Sequence, residues 1–150
     1  MKPAPFAYAR AVTLEDAFGL LTEHGDAAKI LAGGQSLMAT LNMRLSEPDV
    51  LIDINHIQGL AGIEDTGDTL RIGAMTRHVD IETSPLVAAH APLIALAMTH
   101  IAHPAIRNRG SIGGSIAFAD PAAELPACAI LPPPIFSGGF MKPPSGRKKF

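Results

Sequence analysis

Two different spacings of hydrophobic positions follow one another in the first third of the chain. Strict alternation over residues 6–10 predicts a short strand. The next apolar residues recur at helical spacing, with Thr13 as a suitable N-cap and Gly25 as a suitable C-terminal end. The apolar face of this helix consists of Leu14, Ala17, Phe18 and Leu21. A second strand over 28–32 and a second helix over 37–43 are predicted to follow.

Short apolar runs separated by turn residues continue the pattern through the middle of the chain. Residues 50–54 predict a strand buried on both faces apart from Asp53. Strands at 60–63 and 69–74 predict a hairpin that turns at 65–68. Three helices are then predicted: one capped by Thr76 and running through Ile81, one starting at Ser84-Pro85 with proline at N1, and one over 92–101. Strands that alternate with helices before a hairpin indicate an α+β or α/β fold in two small lobes.

A glycine-rich stretch follows, centred on Gly110-Ser111-Ile112-Gly113-Gly114-Ser115. Its composition is unfavourable for a helix or a strand interior and predicts a loop. Successive backbone N–H groups in such a loop can hold phosphate oxygens. Arg107 and Arg109 add positive charge just upstream, and Asp120 can accept a hydrogen bond from a sugar or polyol hydroxyl. A tight turn between two buried segments, with surface arginines, remains the alternative interpretation.

An earlier stretch, Gly33-Gly34-Gln35-Ser36, lies between the predicted second strand and second helix. Strand, diglycine loop and helix in this order can form an anion site, with Ser36 either capping the helix or donating to a phosphate. An ordinary strand-to-helix turn uses the same residues for backbone reasons. Neither stretch contains GxGxxG or GxxxxGK[ST], so a Rossmann dinucleotide site and a P-loop are unsupported.

The amino-acid composition narrows the possible classes of function. The 150 residues are 47% hydrophobic and 17% charged, which is ample for a core. All acidic residues lie at or before Glu124, and four of the twelve basic ones lie after residue 141, so the body is acidic and no nucleic-acid partner is expected. The single Cys128 suits a reducing compartment. With no transmembrane run, a cytoplasmic location is expected. No metal-ligand set and no catalytic triad are recognisable, and His100 and His103 lack a third partner.

Three motifs together closely resemble a known family. They are residues 32–37 (AGGQSL), 106–117 (IRNRGSIGGSIA) and 119–126 (ADPAAELP). The pattern is similar to that of the FAD-binding (medium) subunit of molybdenum hydroxylases, which includes the aerobic carbon monoxide dehydrogenase medium subunit and the flavin domain of xanthine dehydrogenase. The resemblance implies an α+β, two-lobed, PCMH-type FAD-binding fold over residues 1–131, with lobes at roughly 1–55 and 56–131.

The resemblance also implies a site and a function. FAD would extend between the lobes, its pyrophosphate held by the two loops and its sugar-alcohol portion near Asp120. The implied cofactor-binding residues are Ala32, Gly33, Gly34, Gln35 and Ser36 in the first loop, Ser111, Ile112, Gly113, Gly114 and Ser115 in the second, and Asp120. The chain would be an oxidoreductase subunit without catalytic residues of its own. A molybdenum-cofactor large subunit would oxidise the substrate, and electrons would pass through a [2Fe–2S] small subunit to FAD and an acceptor.

The end of the chain departs from this pattern. Family members are roughly twice as long, so the second lobe is expected to be incomplete. Residues 132–150 (PPPIFSGGFMKPPSGRKKF) are rich in proline and glycine, end in basic residues, have no expected counterpart in the family and predict a disordered extension. A truncated or frameshifted, non-catalytic fragment is therefore the alternative function. A salt-sensitive contact of this basic end with an acidic partner is a further hypothesis.

Overall fold

The computed structural model describes residues 2–130, which form two lobes. The first lobe is built on a three-stranded parallel sheet in which the third strand lies between the other two. Its elements in chain order are β1 (Ala7–Arg10), α1 (Leu14–His24), a 3₁₀ turn (Gly25–Ala27), β2 (Ala28–Leu31), α2 (Leu37–Asn42) and β3 (Val50–Asp53). All of these except the 3₁₀ turn were predicted, with ends that agree to within one residue. Parallel pairing puts the carboxyl ends of the strands at one edge of the sheet.

The start and end of α1 follow from local chemistry. The Thr13 hydroxyl accepts from the Asp16 N–H at 3.0 Å, and the Asp16 carboxylate accepts from the Thr13 N–H at 2.9 Å, which completes a capping box. Backbone donors of Val12 and then Thr13 lower the pKa of Asp16. Gly25 ends the helix with a φ of 53°. Both predicted helix boundaries are therefore confirmed.

The central strand β3 is buried along its whole length. The expectation that Asp53 would be its exposed position is wrong, because its side chain is only 8% exposed. The Tyr8 hydroxyl donates to Asp53 Oδ2 at 2.5 Å, and this hydrogen bond offsets part of the cost of burying the carboxylate. The core of the lobe packs α1 against the sheet and consists of Ala11, Ala17, Ala28, Val50, Ile52 and Ile57.

The second lobe is a two-stranded antiparallel hairpin covered by short helices. Its elements are β4 (Ile63–Asp65), β5 (Leu70–Ile72), α3 (His78–Glu82), α4 (Pro85–His90), α5 (Pro92–Met98), α6 (Pro104–Arg107), α7 (Ile112–Phe118) and α8 (Glu124–Ile130). The buried core residues are Ile81, Val87, Met98, Ile101, Ile112 and Leu125, and Ile63, Leu70 and Ile72 of the hairpin pack on them. The first strand of the hairpin lies at 63–65 instead of the predicted 60–63, and the second, at 70–72, is shorter than the predicted 69–74. The helices α6 and α8 were not predicted.

Two predicted helix caps have different outcomes. Ser84 caps α4 by accepting from the Val87 N–H at 3.3 Å, as predicted. Thr76 is not the cap of α3, because its hydroxyl donates to the Gly62 carbonyl at 3.0 Å and accepts from the Gly62 N–H at 2.9 Å. The backbone of Arg77 takes the cap position instead. Thr76 thus ties the hairpin to the start of α3 rather than satisfying the helix.

The prediction of a loop over 110–115 is also wrong in part. Ser111 caps α7, so Gly113 and Gly114 lie in the first turn of a helix. A side chain at Gly113 would lie 2.6 Å from Ala74 Cβ and 2.7 Å from its carbonyl oxygen. Close packing therefore overrides the low helix propensity of glycine here.

Within residues 2–130, no helix combines the length and the apolar character needed to cross a bilayer. The proline- and glycine-rich segment over 132–150, expected to be disordered, lies outside the described residues.

Candidate functional site

The two glycine stretches meet at the junction between the lobes. A side chain at Gly33 would lie 2.9 Å from Gly110 Cα and closer still to the Arg109 carbonyl oxygen. A side chain at Gly114 would lie 3.7 Å from Ala32 Cβ. The segment 32–36, hereafter the first loop, and the segment 109–115, hereafter the second loop, are therefore in contact because glycine leaves room for the backbone.

A cleft of about 820 Å³ runs along both loops. Its volume is in the range of small-molecule sites. The predicted site residues that line it are Ala32, Gly33, Gly34, Gln35, Ser36, Ser111, Gly114, Ser115 and Asp120. Ile112 and Gly113 do not line it, since Ile112 is buried in the second core and Gly113 packs on Ala74. The fold thus brings most of the predicted residues together from both lobes.

The first loop, together with Leu37 directly after it, has a run of unpaired backbone donors. Within residues 2–130, no acceptor pairs with the backbone N–H groups of the five residues Gly33, Gly34, Gln35, Ser36 and Leu37. Gly34 has a φ of +72°, which turns the chain sharply, and Ser36 makes no capping hydrogen bond with its side chain. The Gln35 amide instead donates back to the Gly33 carbonyl at 3.0 Å. A cluster of free N–H groups of this kind is suited to anionic oxygens.

The second loop uses its donors within the chain. The N–H of Ile112 donates to the Thr76 carbonyl at 3.1 Å, that of Gly113 to the Ala74 carbonyl at 2.8 Å, and that of Gly114 to the Ser111 hydroxyl at 3.3 Å. The expectation that this stretch presents successive free N–H groups therefore does not hold for these three residues. Gly110, Ser111, Gly114 and Ser115 are the residues of this loop that line the cleft.

Asp120 lies where the chain leaves α7. Ala119 adopts a left-handed conformation with a φ of 52°, and the Ala122 N–H donates to Asp120 Oδ1 at 2.9 Å. This turn places Asp120 in the lining of the cleft, which also includes Phe118. First-lobe residues, Lys29 among them, line the cleft as well. The lining therefore carries an acidic residue from the second lobe and a basic residue from the first.

The two arginines upstream of the second loop have different roles. Arg107 pairs with Glu82 at 2.8 Å and donates to the carbonyls of Ile101 and Ala102, so its charge is used within the second lobe. Arg109 is exposed and lines a smaller cleft of about 530 Å³, together with Arg77.

A polar network at the junction was missed at the sequence level. Asp53 Oδ1 accepts from the Asn55 backbone N–H at 2.8 Å and from its side-chain amide at 2.6 Å. That amide also donates to the Ala32 carbonyl at 2.9 Å. Arg77 donates to Asn55 Oδ1 at 2.5 Å and also to the Arg109 carbonyl. The one available sequence signal was a set of polar residues directly after a buried strand.

The same network determines the charge state of Asp53. Burial is the largest single influence and acts to raise the pKa of its carboxyl group. The hydrogen bonds from Tyr8 and Asn55, with a smaller contribution from His56, outweigh burial and leave this pKa lowered. Asp53 is thus a carboxylate at neutral pH.

His78 is a further buried polar residue beside the cleft. Its side chain is 4% exposed, and neither ring nitrogen has a hydrogen-bond partner within the described part of the chain. Burial lowers its pKa, a contact with the Ser111 backbone opposes that shift, and the charges of Arg107 and Arg77 lower it further. A side chain at Gly110 would lie 2.8 Å from His78 Nδ1, so the neutral ring packs directly against the second loop.

Comparison with known sequences gives a family match. Residues 4–131 match the model of the FAD binding domain in molybdopterin dehydrogenase. The chain is 52% identical over 130 residues to the 6-hydroxypseudooxynicotine dehydrogenase complex subunit alpha of Paenarthrobacter nicotinovorans, covering 87% of this chain and 44% of that protein. It is 43% identical over 148 residues to the carbon monoxide dehydrogenase medium chain of Hydrogenophaga pseudoflava, covering 99% and 50%. The second alignment extends past residue 131, into the segment that was expected to have no counterpart.

Comparison with solved structures gives the same relationship as comparison with known sequences. Carbon monoxide dehydrogenase from Hydrogenophaga pseudoflava, in a form that lacks the Mo-pyranopterin moiety of the molybdenum cofactor, superimposes with a TM-score of 0.84 at 46% identity. The match covers 87% of this chain and 45% of that one. The chain thus spans about half the length of the relatives it matches.

Proposed function

The chain belongs to the family of FAD-binding domains of molybdopterin dehydrogenases, and from this premise we propose that its larger cleft holds FAD between the two lobes. The observation that carries the proposal is the run of unpaired N–H groups over residues 33–37 on one wall of that cleft. A dinucleotide pyrophosphate offers several anionic oxygens to such donors. The absence of any Cβ at Gly33 keeps the loop close enough to the second loop for one ligand to contact both.

We propose distinct roles for the predicted residues. The first-loop residues Ala32, Gly33, Gly34, Gln35 and Ser36 bind the pyrophosphate, and Ser111, Gly114 and Ser115 face it from the second loop. Asp120 accepts from hydroxyl groups of the sugar-alcohol portion. Ile112 and Gly113 act behind the site, by anchoring α7 in the core and on Ala74. When bound, FAD supplies the redox chemistry, and the chain positions it and limits its exposure to water.

The relatives are dehydrogenase subunits, and an oxidoreductase role follows from the family. We propose that this chain acts beside a molybdenum-cofactor large subunit and a [2Fe–2S] small subunit, and relays electrons through FAD to an acceptor. Support comes from the naming of relatives as a complex subunit and as a medium chain. A carbon monoxide or xanthine dehydrogenase type is the narrower form of this proposal. Co-expression with candidate partner subunits, followed by co-purification, tests the assembly.

The cofactor proposal is tested by visible absorption. The purified 150-residue chain is titrated with FAD, freed of unbound ligand and scanned. Retained bands near about 370 and 450 nm, typical of bound oxidised flavin, are the expected result. A chain that stays colourless at every FAD concentration contradicts a flavin site in this chain alone. That outcome favours the alternative, a non-catalytic fragment that carries the family fold.

A further inference from the structure

The polar network at the junction connects the two loops through side chains of both lobes. Asn55, in the first lobe, holds the first loop by donating to the Ala32 carbonyl at 2.9 Å. Arg77, in the second lobe, holds the second loop by donating to the Arg109 carbonyl. The two side chains are joined to each other by the bond from Arg77 Nη2 to Asn55 Oδ1, at 2.5 Å. A continuous path of hydrogen bonds therefore runs from one loop to the other.

This path is anchored at the first-lobe end by a buried charge. Asp53 is 8% exposed and receives hydrogen bonds from Asn55 and from the Tyr8 hydroxyl. Because its partners fix the carboxylate on the central strand, the Asn55 side chain has one orientation that satisfies all of its bonds. The network thus fixes the positions of both loops relative to the parallel sheet.

We propose that Asn55 and Arg77 are positioning residues that set the distance between the first and second loops, and so fit the cleft to a ligand that contacts both. The inference rests on the proposed FAD site but assigns a role to residues that do not line the larger cleft. Their effect on binding is indirect. Asn55 holds the Ala32 carbonyl and Arg77 holds the Arg109 carbonyl, and this fixes the contact between the neighbouring residues Gly33 and Gly110.

The chemistry of the two side chains makes each difficult to replace. Arg77 reaches two acceptors at once through the two terminal nitrogens of a planar fork, which a lysine ammonium on a flexible stem does not reproduce. Asn55 must donate to Ala32 and Asp53 and also accept from Arg77, a combination that alanine and aspartate lack.

The binding experiment uses the full chain with Arg77→Lys, Asn55→Ala and the double variant. Each single variant is expected to weaken FAD binding roughly tenfold or more, because hydrogen bonds to charged groups are lost. The double variant is expected to bind no more weakly than the poorer single one, because both act through one path. Arg71→Lys, at the exposed position of β5, and Gln58→Ala on the surface are the matched controls. Wild-type affinity in Arg77→Lys, or an equal loss in Arg71→Lys, would overturn the proposal.

Amide hydrogen exchange tests the inference without any ligand. The His78 N–H donates to the Gly110 carbonyl at 3.0 Å, so it reports on the second loop. Asn55→Ala, a change in the first lobe, is expected to speed exchange at His78 several-fold, while Gln58→Ala leaves it unchanged. Unchanged exchange at His78 in Asn55→Ala contradicts the link between the lobes, whether or not FAD binds. If the exchange effect appears but wild-type protein takes up no FAD, the proposed cofactor site fails and the positioning network stands.

Discussion

The two glycine loops lie against each other yet use their backbones in opposite ways. In the first loop and at Leu37 directly after it, the N–H groups of residues 33–37 have no partner among the described residues, whereas in the second loop those of residues 112–114 all donate within the chain. Glycine therefore has two functions here. In the first loop it exposes donors through a turn at positive φ, and in the second it allows α7 to pack against Ala74. Similar composition does not indicate a similar role.

The largest effect on stability is expected from replacing a glycine whose role is to allow close packing. In Gly113→Ala, the new methyl group would lie 2.6 Å from Ala74 Cβ, against backbone as well as side-chain atoms. We expect the free energy of unfolding to fall by about 3 kcal/mol, as for an overpacked interior. Denaturant titration measures this. Gly19→Ala in α1, where the new Cβ would meet nothing within 4 Å outside the helix's own backbone, is the control and should be neutral or slightly stabilising.

A change in the first loop should separate binding from folding. Gly33→Ala places a methyl group 2.9 Å from Gly110 Cα and forces the loops apart. FAD affinity is expected to fall roughly tenfold to a hundredfold, with a smaller change in stability than in Gly113→Ala. Flavin fluorescence titration and denaturant titration on the same samples give both numbers. If Gly33→Ala instead lowered stability as much as Gly113→Ala, the contrast between the loops would be lost.

Ser36 and Ser111, which precede α2 and α7, allow the same separation of ligand binding from stability, with smaller expected effects. Ser111 is buried and accepts from the Gly114 N–H, so Ser111→Ala should cost about 1 kcal/mol of stability. Ser36 makes no such bond, so Ser36→Ala should change stability by less than about 0.5 kcal/mol while weakening FAD binding. Equal stability losses in the two variants would show that Ser36 also has a structural role.

The smallest expected effect is a difference in pH dependence. Burial lowers the pKa of His78 below its ordinary 6.5, so the unfolded chain binds this proton more readily and stability falls as the pH drops below about 6.5. The pKa of Asp53 is lowered from 3.8, so its contribution is present above that value and is lost only at more acidic pH. The contribution of His78 to the free energy of unfolding should therefore be lost first on acidification, and that of Asp53 only at lower pH. Unfolding at a series of pH values measures this, and His78→Gln, but not the exposed His100→Gln, should flatten the upper part of the profile.

The sequence predicted helix boundaries correctly where the contacts that determine them are local. Thr13 with Asp16 and Ser84 with Val87 are three residues apart, and Gly25 ends its helix through its own backbone. Prediction from the sequence failed where the determining contacts join residues that are far apart in the chain. The helical conformation around Gly113 depends on Ala74, and the first-lobe Asn55 meets Arg77 only after the lobes have packed. The eleven-residue site prediction rested on a family resemblance, and the structure added which of those residues face the cleft.

The order of strands in the parallel sheet has a consequence for how the chain folds. β1 and β2 both pair with β3 and not with each other, so the register of Ala7 and of Ala28 is set by one residue, Val50. During synthesis, the two earlier strands have no sheet partner until β3 has left the ribosome. Contacts between such distant residues slow folding and leave unpaired edges exposed in the meantime. The first loop therefore acquires its position late, after the strand on which Asp53 is carried has entered the sheet.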